Sequence, residues 1–256
     1  MTPTAKIHPP RILLPVCSLL AVAACSEQKS DAPAPARACA SNAAAYQPQI
    51  VAADFGPTIN NPYLSYLPGT VARYRQSGGE IVEQDVTSDT KVILGVTCRV
   101  VHDFLKSPTG ELLEDTYDYY AQDRTGNVWY FGEDTKAYVG AQVSTAGTWL
   151  AGVACAHPGI VMKAQPAIGD RYRQEYLENE AEDEAEVVSL SEKISVPFGS
   201  LDHCLMTKET TRLAPGDVEN KYYCPGIFGP VSSVDIGMID AGKREDLVSI
   251  NGKTAP

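Results

Sequence analysis

The stretch from Glu114 to Asp134 constrains the fold more than any other part of this chain. Tyr117, Tyr119, Tyr120, Trp129, Tyr130 and Phe131 stand on either side of a polar turn containing Asp123, Gly126 and Asn127. Aromatic residues fit a pleated, half-buried surface, and Asp, Gly and Asn supply turn chemistry, so the stretch predicts a central β-hairpin. Its register follows from counting. With Asp123 to Asn127 as a five-residue loop, Gln122 faces Val128, Ala121 faces Trp129 and Tyr119 faces Phe131. One face then carries Tyr117, Tyr119, Ala121, Trp129 and Phe131, expected to be core. The other carries Glu114, Thr116, Asp118, Tyr120, Gln122 and Tyr130. A slip of one residue would mix the two faces, because side chains alternate strictly along a strand.

Period-two patterning continues on both sides. Thr70 to Arg75 and Ile81 to Thr87 flank Ser77-Gly78-Gly79, and Lys91 to Asp103 reads as the longest strand, with Val92, Leu94, Val96, Cys98 and Val100 on one face. Further strands are expected at Arg171 to Tyr176, Glu186 to Val196, Leu201 to Thr211, Glu219 to Cys224, Val231 to Asp235 and Asp246 to Ile250. No segment has the pattern of an amphipathic helix. The expected class is all-β: one large antiparallel, strongly curved sheet or open barrel with few or no helices.

The first residues speak to compartment. Lys6 and Arg11 precede the apolar run Ile12 to Ala24, which ends in Val22-Ala23-Ala24-Cys25. A run of 13 residues is short of the roughly 20 that span a bilayer and fits a secretion signal. The small residues before Cys25 resemble a bacterial lipobox. That resemblance makes residues 1–24 a lipoprotein signal peptide and Cys25 the lipidated N-terminus, with Ser26 behind it fitting an outer-membrane destination on the periplasmic face. In an organism with one membrane, the outer face of the plasma membrane takes its place. An ordinary signal peptide cut near Ala24 is the alternative. Residues 25–45, rich in Ala, Pro and Ser, read as a flexible tether, and 46–256 as a single β domain.

The formal charge of −11 becomes −13 once Lys6 and Arg11 are removed. Such a surface argues against nucleic acid, whose phosphates need clustered Lys and Arg. The expected partners are the membrane, through the lipid on Cys25, and a small apolar or amphipathic ligand or another envelope protein.

Several segments together resemble a family of bacterial secreted proteins and lipoproteins of unassigned activity. They are Asn61-Pro62-Tyr63 with Leu67-Pro68-Gly69-Thr70, Lys91 to Cys98, Asp115 to Asp134, Gly169 to Tyr176, Val196-Pro197-Phe198-Gly199 and Tyr222-Tyr223-Cys224-Pro225-Gly226. The resemblance covers roughly residues 57–235 and implies an exported β protein, but no substrate. The family pattern lacks Cys155 and has Ala at the position of Cys224, which implies local cysteine pairing here rather than a shared catalytic thiol.

Cys204 and Cys224 are equidistant from residue 214, the middle of a predicted hairpin turn, and so should face each other closely enough for a disulfide. Cys98 with Cys155 is a less secure second pair, with Cys39 left over or competing. A soft-metal reading would use Cys98 with His102, Cys155 with His157, and His203 beside Cys204. A calcium reading would use Glu114, Asp115, Asp118, Glu133 and Asp134, all carboxylates at one end of the central hairpin. No cofactor is expected otherwise. No nucleophile elbow, phosphate-cradling loop or dinucleotide fingerprint occurs, so no catalytic residue is assigned. The candidate ligand site is instead Asp118, Tyr120 and Tyr130, with Trp149 near its mouth.

Overall fold

The computed structural model describes residues 46–238 and 240–255; the signal-peptide, lipidation and tether expectations lie outside them. After a 3-10 turn at Ala52–Asp54, the chain forms β1 (Phe55–Gly56), β2 (Val71–Gln76), β3 (Ile81–Ile93), β4 (Val96–Lys106), β5 (Leu112–Asp123) and β6 (Val128–Val139). Shorter pieces follow: β7 (Gln142–Ser144), β8 (Trp149–Leu150), β9 (His157–Met162), β10 (Arg171–Arg173) and β11 (Glu175–Tyr176). Then come the long β12 (Asp183–Val196) and β13 (Gly199–Thr211), followed by β14 (Val218–Tyr223), β15 (Pro230–Asp235) and β16 (Arg244–Ile250). All sixteen belong to one antiparallel sheet, as expected of an all-β, strongly curved chain.

The strand order runs β10-β12-β13-β14-β15-β16-β2-β3-β4-β5-β6-β9-β11. Its first and last members are consecutive in the chain, separated only by Gln174. Arg171 to Arg173 pair with β12 at one edge, and Glu175 and Tyr176 pair with β9 at the other. One six-residue segment therefore spans both edges. The sheet curls round on itself without a ladder between β10 and β11, so it is strongly curved and not closed.

The central hairpin has the expected five-residue loop, with Gln122 opposite Val128 and Ala121 opposite Trp129. Asp123 organises that loop. Its carboxylate accepts from Thr125 N and Asn127 N, and from Trp129 Nε1 at 2.9 Å. Burial pushes its pKa up, but these donors outweigh burial and hold it below the usual range. Beyond Tyr120 opposite Tyr130, a bulge interrupts the ladder, and Asp118 pairs with Glu133 rather than with Gly132. Gly132 sits at φ +132°, and a Cβ there would lie 2.3 Å from the carbonyl oxygen of Trp149. Only glycine fits.

Two departures from the expected pattern follow from turns and from coverage. The apolar run from Lys91 to Asp103 is two strands, because Leu94 and Gly95 both take positive φ and form a tight turn between Ile93 and Val96. Val92 and Leu94 project to solvent in consequence, while Cys98 stays buried. Tyr119, Ala121 and Phe131 are core, in a cluster with Val96, Cys98 and Val100 that Phe55 and Ala52 help to cover. Tyr117 is not: it is 37% exposed and stacks on His102 at 4.2 Å.

Hairpin symmetry places the cysteines. Leu205 pairs with Tyr223, and Cys204 and Cys224 beside them form a disulfide with their Cα atoms 4.1 Å apart. Cys98 and Cys155 are not partners. Cys98 is a free thiol inside the apolar cluster, and Cys155 is disulfide-bonded elsewhere. Replacing Cys204 and Cys224 together by Ala is expected to lower the unfolding free energy by about 3 kcal/mol, from the denatured-state entropy of a loop of this length. Urea melts of the oxidised wild type and the double variant check this.

Candidate functional site

Curling the sheet brings together side chains far apart in strand order. Tyr120 of β5, Tyr130 of β6, Glu175 of β11, Asp183 of β12 and Lys221 and Tyr223 of β14 line one cavity of about 110 Å³, with Tyr66 and Gln84. A second cavity of about 80 Å³ shares Gln84, Lys221 and Pro230 with the first and adds Tyr74, Asp103, Glu219 and Glu245. A third, about 20 Å³, lies among Asp183, Glu209, Glu219 and Lys221. Lys221 borders all three.

The walls are aromatic and acidic. Tyr120 and Tyr130 stack with centroids 4.8 Å apart, and Tyr66 lies 5.0 Å from Tyr120. Tyr130 donates its hydroxyl to Asp118 Oδ1 at 2.6 Å, and Trp149 packs edge-on behind Tyr130 at 5.3 Å. The four residues of the candidate ligand site are thus neighbours. Tyr120 and Tyr130 form the cavity wall, Asp118 anchors Tyr130, and Trp149 is buried behind it rather than standing at a mouth.

The five carboxylates of the calcium reading do not converge. Glu114, Asp118 and Glu133 are buried on the inward face, whereas Asp115 and Asp134 point outward. Asp115 Oδ1 meets His102 Nε2 at 2.6 Å, and Asp134 Oδ2 accepts from Lys91 Nζ at 2.8 Å and from Tyr119 Oη at 2.5 Å. Strand alternation divides the set, with the Gly132 bulge deciding that Glu133 turns inward. Among the described residues, no three His, Cys, Asp or Glu side chains are grouped to hold a metal ion. The soft-metal set is likewise dispersed: Cys98 is enclosed in the apolar cluster, His102 faces Asp115, and His203 pairs with Asp202 at the surface.

Inside the sheet, Lys221 is the cation that meets the acids. Its Nζ lies 2.8 Å from Glu209 Oε2 and 3.5 Å from Glu219 Oε2. Burial alone would lower its pKa, but those two carboxylates hold it well above the ordinary value. The remaining acids are under-compensated. Burial raises Asp103 to about 6 against the donor Gln84, and Asp183 to about 7 despite Lys221. Burial, then the charge of Asp103, raises Glu114 to about 8, and burial raises Glu245 to about 8. Asp118, Glu133 and Glu175 are pushed well above the carboxylate range, by burial first and by their acidic neighbours second. Glu133 is 1% exposed, and neither of its carboxylate oxygens has a hydrogen-bond partner.

Sequence reasoning missed Glu175, Asp183, Glu209 and Lys221. The alternation Thr207-Glu209-Thr211 against Glu219-Lys221-Tyr223 is the signal that places Glu209 and Lys221 on one face of a predicted hairpin. In the acidic connection before β12, Glu182 is buried and accepts from Arg212 Nε at 2.6 Å.

No family model matches the chain, and no curated protein matches it. A solved structure of a putative lipoprotein from Parabacteroides distasonis is similar over 75% of this chain and 99% of that one, with a TM-score of 0.40 and 10% identity. That similarity is too slight to carry any inference about this chain.

The raised carboxylates make a pH prediction. A pKa of about 8 for Glu114 and Glu245 and about 7 for Asp183, against roughly 4 in the unfolded chain, means that the folded state holds more protons between those values. Stability therefore falls as pH rises from about 5 to 8. His157, with its pKa lowered by burial, opposes this as a single group. Urea midpoints should decline across that range, and Glu114→Gln, which keeps the neutral shape, should flatten the decline by roughly one proton's share.

Proposed function

We propose that this is an exported, lipid-anchored protein of the bacterial cell envelope that binds a small amphipathic molecule inside its curved sheet and does no chemistry on it. Val22-Ala23-Ala24-Cys25 supports the anchor, with lipid on Cys25 and the outer membrane as destination. The observation that carries the binding role is the cavity of about 110 Å³, joined through shared walls to one of about 80 Å³. Such space holds a molecule of roughly five to ten non-hydrogen atoms or a few waters, not an acyl chain.

The wholly apolar ligand is set aside on the same ground. An apolar occupant would strip water from Glu175 and Asp183 in the wall and offer them no charge in return, which is costly for buried polar groups. An amphipathic molecule matches the tyrosine faces with its apolar part and the charged wall with its polar part.

Two measurements test this reading. Metabolic labelling with palmitate should mark the wild-type protein and not Cys25→Ala, and unlabelled wild type would sink the anchor. Native mass spectrometry of protein taken from its own envelope should show a copurifying small molecule. Its occupancy should fall at least several-fold in Tyr130→Leu, a change that removes both a cavity wall and the partner of Asp118.

A further inference from the structure

The polar end of that ligand can be assigned by charge. We propose that the tyrosine-walled cavity takes a small organic cation, an alkylammonium, with its ammonium against Glu175 and Asp183 and its carbon atoms against Tyr66, Tyr120 and Tyr130. This rests on the reading of the cavity as a binding site.

Three independent observations support it. First, the cation already inside is spoken for. Lys221 Nζ is 2.8 Å from Glu209 and 3.5 Å from Glu219, so its charge is matched at the β13–β14 side. Among the described residues, no ammonium or guanidinium lies within salt-bridge distance of Glu175, Asp183 or Asp103, although Lys221 acts on Glu175 and Asp183 from farther off. Second, buried polar groups wait for a partner. Tyr74, 2% exposed and in the wall of the adjoining cavity, has an unpartnered hydroxyl. Asp183, on the wall of the tyrosine-lined cavity, has one unpartnered carboxylate oxygen. Buried polar atoms in a folded protein are almost always satisfied, and the Asp183 oxygen on the cavity wall can accept from an ammonium. Third, the ring faces suit a cation. Tyr66, Tyr120 and Tyr130 form a continuous aromatic wall with centroids 5.0 and 4.8 Å apart. The negative faces of such rings attract ammonium groups, most strongly where water is excluded.

An anion would find on that wall Lys221, already held by Glu209 and Glu219, and would meet Glu175 and Asp183 directly. A bare divalent ion is disfavoured because the inward acids are spread along different strands, with no group of three poised to hold a metal among the described residues. An organic cation bridges that spacing.

The test is calorimetric and thermal titration of the protein without its signal peptide, using butylammonium and tetramethylammonium. 1-Butanol and calcium, at matched ionic strength, serve as comparisons. The expected result is saturable binding of an ammonium probe, with a rise in melting temperature and at least a tenfold preference over 1-butanol. Glu175→Gln and Asp183→Asn should each weaken it about tenfold while keeping the circular dichroism of the wild type. The wild-type comparison stands even if a variant fails to fold. Equal affinity for 1-butanol would overturn the charge assignment and leave the binding role intact. Saturation by calcium with no response to either ammonium would overturn it in favour of a metal. No saturation by any probe, with no copurifying molecule, would overturn both.

Discussion

The fold depends on enclosing carboxylates inside a curled sheet with one ammonium among them. Lys221 holds Glu209 and Glu219, and Glu209 is further bonded by Thr207 Oγ1 at 2.9 Å. A charge pair of this kind is retained because removing either partner strands the other, a loss of about 3–5 kcal/mol in comparable buried pairs. The acids beyond its reach solve the same problem by a different route. Glu114, Asp118 and Glu245 are each met by one neutral donor, from Thr116, Tyr130 and Gln76, and burial favours their protonated forms. Paired charge on the β13–β14 side and held protons on β5 and β16 together let a polar interior persist.

Two backbone devices make that interior possible. The segment from Arg171 to Tyr176 pairs with β12 through its first half and with β9 through its second, which draws the sheet edges together and brings Glu175 and Asp183 within one cavity. The bulge at Gly132 then reverses the facing of β6. Without it, alternation from Tyr130 would send Glu133 outward with Trp129 and Phe131. Aromatic wall and acidic backing share a face only because one glycine can occupy φ +132° against the Trp149 carbonyl.

How much of this was legible in the sequence depended on how local each feature is. The Gln122–Val128 register and the Cys204–Cys224 bridge follow from counting across a single turn, and counting suffices where strands alternate without interruption. The Leu94-Gly95 turn was hidden because Val-Ile-Leu-Gly-Val reads as an unbroken buried strand, and leucine at positive φ is no turn signal. The Asp118–Tyr120–Tyr130 cluster was visible as a face, but its orientation was inverted in meaning. The face taken for the second side of a sheet is the lining of the interior. That Glu175 and Lys221 share a cavity was out of reach, because their approach is set by the closing of the strand order and not by any local pattern.

A polar interior of this kind also links folding to occupancy. Glu175 and Asp183, whose protonated forms burial favours, stand in the cavity wall, and an ammonium entering the cavity would pair their charged forms. Binding would then stabilise the folded state in proportion to ligand concentration while releasing protons from the groups it pairs. A matching cation therefore offsets the same desolvation that makes the empty protein less stable as pH rises. Asp183, one of the acids that weaken the fold in alkaline solution, would on this argument also help to give the cavity its selectivity. A protein built with a fully apolar core in place of these acids would be more stable and would have nothing with which to recognise a charged ligand.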